Sequence, residues 1–477
     1  MRILGFLTVL VAALLYAAPG QSATLYVSNS DSTCAVSSPC FATIQGAVNA
    51  AGAGDNVQIQ SGLYPEQILI SNRNNSASAT ENDRITIESD PLLPDSVVVT
   101  GSNAGCNGGY AIRLKRSKFI TIRGLTITET GGTAVEILGG SSQNAAIHIE
   151  RNRIFGNGLS GCDGGITIGS GNPGTLIVNN LIYGNVRNGI AIVSDGAGGP
   201  HHIIQNTIYG NQWNGVNTGD RPVVFLVNNI ITQNGSARSS SGGRSGVRRG
   251  GSGSRSQVLR LLNNLICGNR LGEFSGAVLD VSDAGNLTPN GNEGPGVAAS
   301  PGCDVPANVF DDDFILVANS PAIDSGMDPR TLGLSAFLST DYYGGWARPA
   351  DGDDDGVVAF DMGAVEVGNL APNASNGNQT TNANVTVNVS LFAADFDSPT
   401  LSFAIVGNPS HGSLGPIGAS SCVPLAFNPG SVGSLCSATV TYTPAPGYTG
   451  SDSFTFKTND GTLDSNISAV SITVNGP

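Results

Sequence analysis

Apolar and polar positions alternate in short runs that return at a regular interval. The segments IHIERNRIFGN, LIVNNLIYGN, HIIQNTIYGN, FLVNNIITQN and LRLLNNLICGN share one plan: an apolar stretch, an Asn, a hydrophobic pair and a second Asn. The first Asn of each copy is Asn152, Asn180, Asn206, Asn229 or Asn264, so successive separations are 28, 26, 23 and 35 residues. Repeats of this size mark solenoids, propellers or arrays. The copies carry single β-branched runs closed by Asn and Gly, without helical periodicity, which predicts a parallel β-solenoid with one copy per coil. Alternate residues such as Ile147 and Ile149 then point into a core shared with the coils on either side. Asn suits the turn, because its short amide tolerates unusual backbone angles and bonds main-chain groups. The Asn column is therefore expected to be structural, with stacked amides bonding one another. FITIRGLTIT has the same form with Leu125 in the ladder position, 27 residues before Asn152, so the stack begins upstream of the Asn column.

Nearer the N terminus, PCFATIQGAVNAA places Ile44, Val48 and Ala51 at helical spacing. A short helix there would cover the open end of the solenoid. The following GDNVQIQSGLYPEQILI contains Gly54, Asp55, Gly62, Tyr64 and Glu66 in the order GD, strand, G-x-Y, E. This opening resembles that of right-handed parallel β-helix proteins of the pectin-lyase-like superfamily. Residues 236–257, rich in Ser, Gly and Arg, interrupt the repeat and are expected to be a disordered insertion that explains the 35-residue spacing. A basic flap gripping an anionic polymer is the functional alternative.

Residues 310–368 contain SPAID-x-G at Ser320 to Gly326 and D-x-GA-x-E at Asp361 to Glu366. They resemble the closing segment of β-helix proteins called choice-of-anchor Q, which implies a seal over the C-terminal end of the solenoid. Beyond the linker, residues 375–477 hold strand-sized alternating runs separated by Pro, Gly, Asn and Asp. With GYTGSDSFTFKTNDG they resemble a bacterial immunoglobulin-like or cadherin-like module. The fold class is all-β: a right-handed parallel β-helix over 24–309 followed by a small β-sandwich.

Composition points outside the cell. Arg2, the apolar run Ile3 to Leu15 and the small residues before Thr24 make residues 1–23 a secretory signal, too short to span a membrane with its flanks. Eight Cys without a CxxC spacing suggest disulfides, with Cys34–Cys40, Cys422–Cys436, Cys106–Cys162 and Cys267–Cys303 as plausible pairs. Charged residues are only 12%, Lys occurs three times, and the net charge of −14 argues against a general nucleic-acid binder. A secreted or cell-surface monomer without membrane insertion is expected.

Candidate chemistry is sparse. DGDDDG places Asp351, Asp353 and Asp355 at alternating positions before a Gly, with Asp361 ten residues after the first, a pattern suited to Ca²⁺. Met362 stands where an EF-hand has its Glu. Asp395, Asp397 and Asp460 are a second, weaker Ca²⁺ set in the last module. The densest basic region holds Arg113, Lys115, Arg116, Lys118 and Arg123, followed one coil later by Arg151 and Arg153. If Ile122 and Ile149 are in register, Arg123 sits over Glu150 as a surface ion pair. As catalytic candidates, Lys115, Lys118, Arg123, Arg151 and Arg153 could neutralise a uronate in a β-elimination. The phrases of polygalacturonases and alginate epimerases are absent. Asp163 reads as a turn residue beside Cys162, and His148, His201 and His202, with no Cys, Ser or carboxylate at ligand spacing, as surface or packing residues. Phe155, Tyr183 and Tyr209 recur three residues after their ladder Asn, either as a stack for sugar rings or as inward packing.

These features favour an exported protein that recognises polysaccharide along a solenoid face. A polysaccharide lyase or glycoside hydrolase is the first alternative and a structural adhesin or spacer the second.

Overall fold

The computed structural model describes residues 22–34, 37–89, 96–106, 108–193, 200–219, 222–236, 244–250, 258–275, 285–291, 297–311, 314–317, 320–332, 341–342, 348–350, 358–368, 371–395, 398–424 and 433–476. The proposed secretory signal lies almost wholly outside them, as do Asp351, Asp353, Asp355 and Asp397. Among the described residues no helix is long and apolar enough to cross a membrane.

The repeat folds as a parallel solenoid of three sheets, with ten, ten and eight strands among the described residues. One coil runs through Ala145–Glu150 in the first sheet, Arg153–Phe155 in the second and Ile166–Ile168 in the third before returning at Leu176–Val178. The inward positions stack in register. Ile122, Ile149, Ile177, Ile203, Leu226 and Leu261 form one column, and Ile127, Ile154, Ile182, Ile208, Ile231 and Ile266 another. All twelve are fully buried. Each such side chain contributes about 1.5–3 kcal/mol of burial, which is why the alternation fixes the register.

The Asn column stands where the repeat placed it, but the turn is made by the residue before it. Arg151, Asn179, Gln205, Asn228 and Asn263 have φ between 50° and 55°. The following Asn is buried and bonds along the stack: Asn152 Nδ2 donates to Asn180 Oδ1 at 3.0 Å, and Asn206 Nδ2 to Asn229 Oδ1 at 3.0 Å. The second Asn of each copy builds a parallel ladder through Asn157, Asn185, Asn211, Asn234 and Asn269, which ends on Glu273 at 2.6 Å. Leu125, lacking an amide, donates its N–H to Asn152 Oδ1 at 3.1 Å and so starts the first ladder. At the entry to the third sheet the coils pass so closely that a Cβ on Gly189 would lie 2.8 Å from the Gly215 carbonyl.

Helix Ile44–Ala50 buries Ile44, Ala47 and Val48 in the solenoid core. Thr43 Oγ1 accepts from Gly46, and the two Glu66 oxygens accept from the Ile44 and Gln45 N–H groups at 2.8 and 3.0 Å. Asp55 accepts from the N–H groups of Ala23 and Gly52, tying the first strand to the cap. The GD and Glu positions of the N-terminal phrase are thus capping chemistry.

Two expectations fail. The insertion is not disordered throughout, because Val247–Arg249 forms a strand of the third sheet, with Val247 buried in register with Val216. Among its described residues the closing segment also departs from an end seal. It runs along the side of the solenoid: Asn228 exchanges bonds with Met327, Gly363 donates to the Asn228 carbonyl, and Ala364 donates to Thr207 Oγ1. The cause is a set of outward apolar residues. Leu181, Ile230 and Leu265 need cover and receive it from Phe310, Phe314, Met362 and Val365.

All four Cys pairs are disulfides: Cys34–Cys40, Cys106–Cys162, Cys267–Cys303 and Cys422–Cys436. The C-terminal module packs two sheets around Leu391, Val440, Tyr442, Phe454, Phe456 and Ile472. Strand Ser434–Pro444 alternates buried and exposed residues along its length.

Candidate functional site

The three outer faces differ in what lies over them. On the second sheet, Phe155, Tyr183 and Tyr209 do stack in register, with the first two rings parallel at 5.0 Å. The stack is no open platform. Phe314 lies 4.9 Å from the Tyr183 ring and Phe310 meets Tyr209 edge-on at 5.5 Å. Arg153 Nε donates to the Tyr183 hydroxyl at 2.7 Å, which engages this guanidinium in the same packing. On the far half of the first sheet, Leu176, Val178, Ile204 and Val227 are covered with the help of Met327 and Leu332.

The near half of the first sheet carries a row of charges. Glu88, Arg123 and Glu150 are in register on three neighbouring strands, as the alignment of Ile122 with Ile149 requires. Arg123 Nε donates to Glu88 at 2.9 Å and Nη1 lies 3.7 Å from Glu150. His148, two residues before Glu150 on the same strand face, places Nδ1 3.3 Å from Glu150 Oε1, and Arg84 Nη2 lies 3.2 Å from its Nε2. Burial works to raise the Glu150 carboxyl, but the His148 hydrogen bond and the charges of His148, Arg123 and Arg151 outweigh it and hold the group below its ordinary value. Sequence reasoning missed this His–Glu pair, although their two-residue spacing on a strand was the signal. The row neutralises itself.

The third face is different. Its outward column runs Leu69, Arg113, Glu136, Thr167, Ala191, Asn217, Arg248 and Ser275 in unbroken register. Arg113 Nε meets Glu136 at 2.5 Å while its guanidinium lies 3.9 Å over the Tyr110 ring. Arg248 Nη1 donates to Asn217 Oδ1 at 3.1 Å. At the corner leading into this sheet, the Arg187 guanidinium stacks on Trp213 at 4.5 Å. Among the described residues none of the hydrophobic clusters extends over this face, and Leu69 and Val193 stand exposed at its edges.

Residues 93–249 match the family model of the right handed beta helix region, and residues 369–473 that of the bacterial Ig domain. The chain is a right-handed β-helix carrying a bacterial Ig domain. Among solved structures, pectate lyase Pel9A is similar at 15% identity over 72% of this chain and 96% of its own, with a TM-score of 0.44. The periplasmic alginate epimerase AlgG is similar at 15% identity over 50% of this chain and 53% of its own, with a TM-score of 0.30. Tailspike gp61 of Pseudomonas phage phi297 is similar at 9% identity over 82% of this chain and 67% of its own, with a TM-score of 0.20. No curated protein matches the chain.

The β-helix disperses the basic catalytic candidates. Lys115 belongs to the third sheet, Lys118 and Arg123 to the first, Arg151 to the turn after it, and Arg153 to the second. Lys118 Nζ donates to the Ser76 carbonyl at 3.2 Å. Burial and the charge of Arg123 weigh against Arg151, opposed by Glu150, Asp341 and Glu88. Asp163 accepts from Asn188 at 2.8 Å beside its disulfide, as a turn residue does.

Of the first acidic set only Asp361 is described, and it is fully buried in the closing segment. Its oxygens accept from the Asp324 and Val367 N–H groups at 2.8 and 2.6 Å. Burial, then the neighbouring Glu366, push Asp361 up from 3.8 to about 8. Glu366 in turn pairs with Arg348 at 2.9 Å, both side chains being inaccessible. Both Asp361 oxygens are thus engaged by main-chain N–H groups of the closing segment. In the Ig domain Asp395 accepts from the Ser398 N–H and Asp460 from those of Thr462 and Leu463.

Proposed function

We propose that this exported β-helix protein binds polysaccharide along the outer face of its third sheet. One observation carries the reading. Among the described residues the closing segment packs over Leu181, Ile230 and Leu265 of the second face and over the far half of the first, whereas no hydrophobic cluster extends over the row of Arg, Glu, Thr and Asn side chains in register on the third. Side chains of this kind, with Tyr110 and Trp213 beside them, suit sugar hydroxyls and ring faces. Four disulfides support export.

Binding is preferred to catalysis because the basic candidates are dispersed over three sheets, and the acidic and basic groups that do meet, Glu88, Arg123, Glu150 and His148, are engaged with one another. Glu136 is the only acidic member of the open column and is tied to Arg113, whereas glycoside hydrolysis ordinarily uses two carboxyl groups across the bond.

The test is affinity electrophoresis of the mature protein against neutral and uronic-acid polysaccharides, run beside an absorbance assay for unsaturated product. Retardation without product is expected. New product would replace the reading with a lyase, and silence in both assays would leave a structural adhesin.

A further inference from the structure

The outward column has two polar stations separated by short side chains. The first is the ion pair of Arg113 with Glu136. The second is Arg248, on strand Val247–Arg249 within the Arg-rich insertion, which donates to the neutral amide of Asn217. Among the described residues neither Arg248 nor Arg187 has a carboxylate partner, on a chain whose net charge is −14. Between the stations lie Thr167 and Ala191, whose small side chains sit low in the sheet, Ala191 being buried and the Thr167 hydroxyl inaccessible. Arg113 and Arg248 are five strand steps apart, and at about 4.8 Å per step that is roughly 24 Å.

We infer that the third face is a two-station site for a linear oligosaccharide, in which Arg113–Glu136 takes ring hydroxyls and Arg248 takes an anionic group roughly 24 Å away. The inference rests on the polysaccharide reading and adds a ligand length and a polarity to it. A short ligand engages one station. A ligand long enough for both gains the second contact intramolecularly, so affinity rises in a step at that length. The charge-balanced pair gives no preference between neutral and anionic sugars, whereas the Arg248 station does. This assigns the insertion a part in recognition: its Val247 anchors the strand in the core, and its neighbour Arg248 faces the ligand.

The experiment is titration calorimetry of the full protein with size-graded oligogalacturonates and oligoalginates, with dextran oligomers as the uncharged series. Wild-type affinity for an anionic series should rise roughly tenfold as the oligomer reaches the two-station length. Arg248→Gln should remove both the step and the preference for charge. Arg248→Lys should keep the charge preference, which also separates ligand contact from a folding defect, and Arg113→Gln should remove the step alone. A smooth rise with length, or wild-type behaviour of Arg248→Gln, overturns the two-station site while leaving polysaccharide binding intact. Failure of all three series to bind the wild-type protein overturns the polysaccharide reading and this inference together.

Discussion

Asn180 and Asn206 are joined twice through one oxygen: the Asn180 backbone N–H and its Nδ2 both donate to Asn206 Oδ1 at 2.9 Å. Asn180 Oδ1 in turn accepts from the backbone and side chain of Asn152, and its Nδ2 also reaches the Ile149 carbonyl at 2.8 Å. Replacing Asn180 by Ala strands several buried backbone groups at once. With roughly 1–3 kcal/mol for each buried group left unpaired, Asn180→Ala should destabilise the solenoid by about 3 kcal/mol or more, measured by urea unfolding. Leu125 occupies the equivalent position without an amide, so a change there to another apolar residue should cost only what its packing loses.

Asp361 ties stability to pH in an unusual direction. Its folded value, about 8, lies above the ordinary 3.8, so the folded chain holds a proton that the unfolded chain releases between those limits. Stability is then fully present below the lower value and is lost as pH rises through the upper one. The closing segment should therefore melt at a lower temperature at about pH 9 than at about pH 5. Asp361→Asn should flatten that slope, and an unchanged slope in the variant would remove Asp361 as its source.

Glu150 has the opposite sign. Held below its ordinary 4.5 despite burial, it stabilises the fold above that value and loses this contribution as pH falls through its folded value. Acid unfolding of Glu150→Gln should therefore be shallower below about pH 4.5, although the variant is less stable at neutrality. Equal acid sensitivity in the two proteins would contradict the role given to His148, Arg123 and Arg151.

Calcium gives a test of the first acidic set. If Asp351, Asp353, Asp355 and Asp361 hold Ca²⁺, the ion should raise the melting temperature, and chelation or Asp353→Asn should remove the rise. A melting temperature indifferent to Ca²⁺ in the wild-type protein would dismiss the site.

Much of the scaffold was legible in the chain because it repeats. Ile149 and Ile177 are inward since their period is two, Arg123 lies over Glu150 because the same period aligns them, and each Cys found the partner its position suggested. What failed depended on contacts remote in sequence. Leu176 and Ile204 look like any strand residues until Met327 and Leu332 are seen packed with them. Phe155 and Tyr183 illustrate the same limit, for their stacking was visible but Phe314 over it was not. In the insertion, Gly, Ser and Arg concealed that Val247 continues the column of Val216. His148 was overlooked for lack of a metal-like or triad-like spacing, although a strand needs only one intervening residue to bring a pair together.

The first Asn ladder bonds with the same geometry across a 23-residue coil and a 35-residue coil: Asn206 to Asn229 at 3.0 Å, and Asn229 to Asn264 at 2.9 Å. Pitch is thereby uncoupled from contour length. The longer coil takes its extra residues at two corners, eight between Thr232 and Val247 and four between Arg249 and Val258, while its neighbours register no change. Such a scaffold lets its outer corners diverge quickly under selection while its interior stays fixed, and it marks the turn after Asn234 as the place to graft foreign loops.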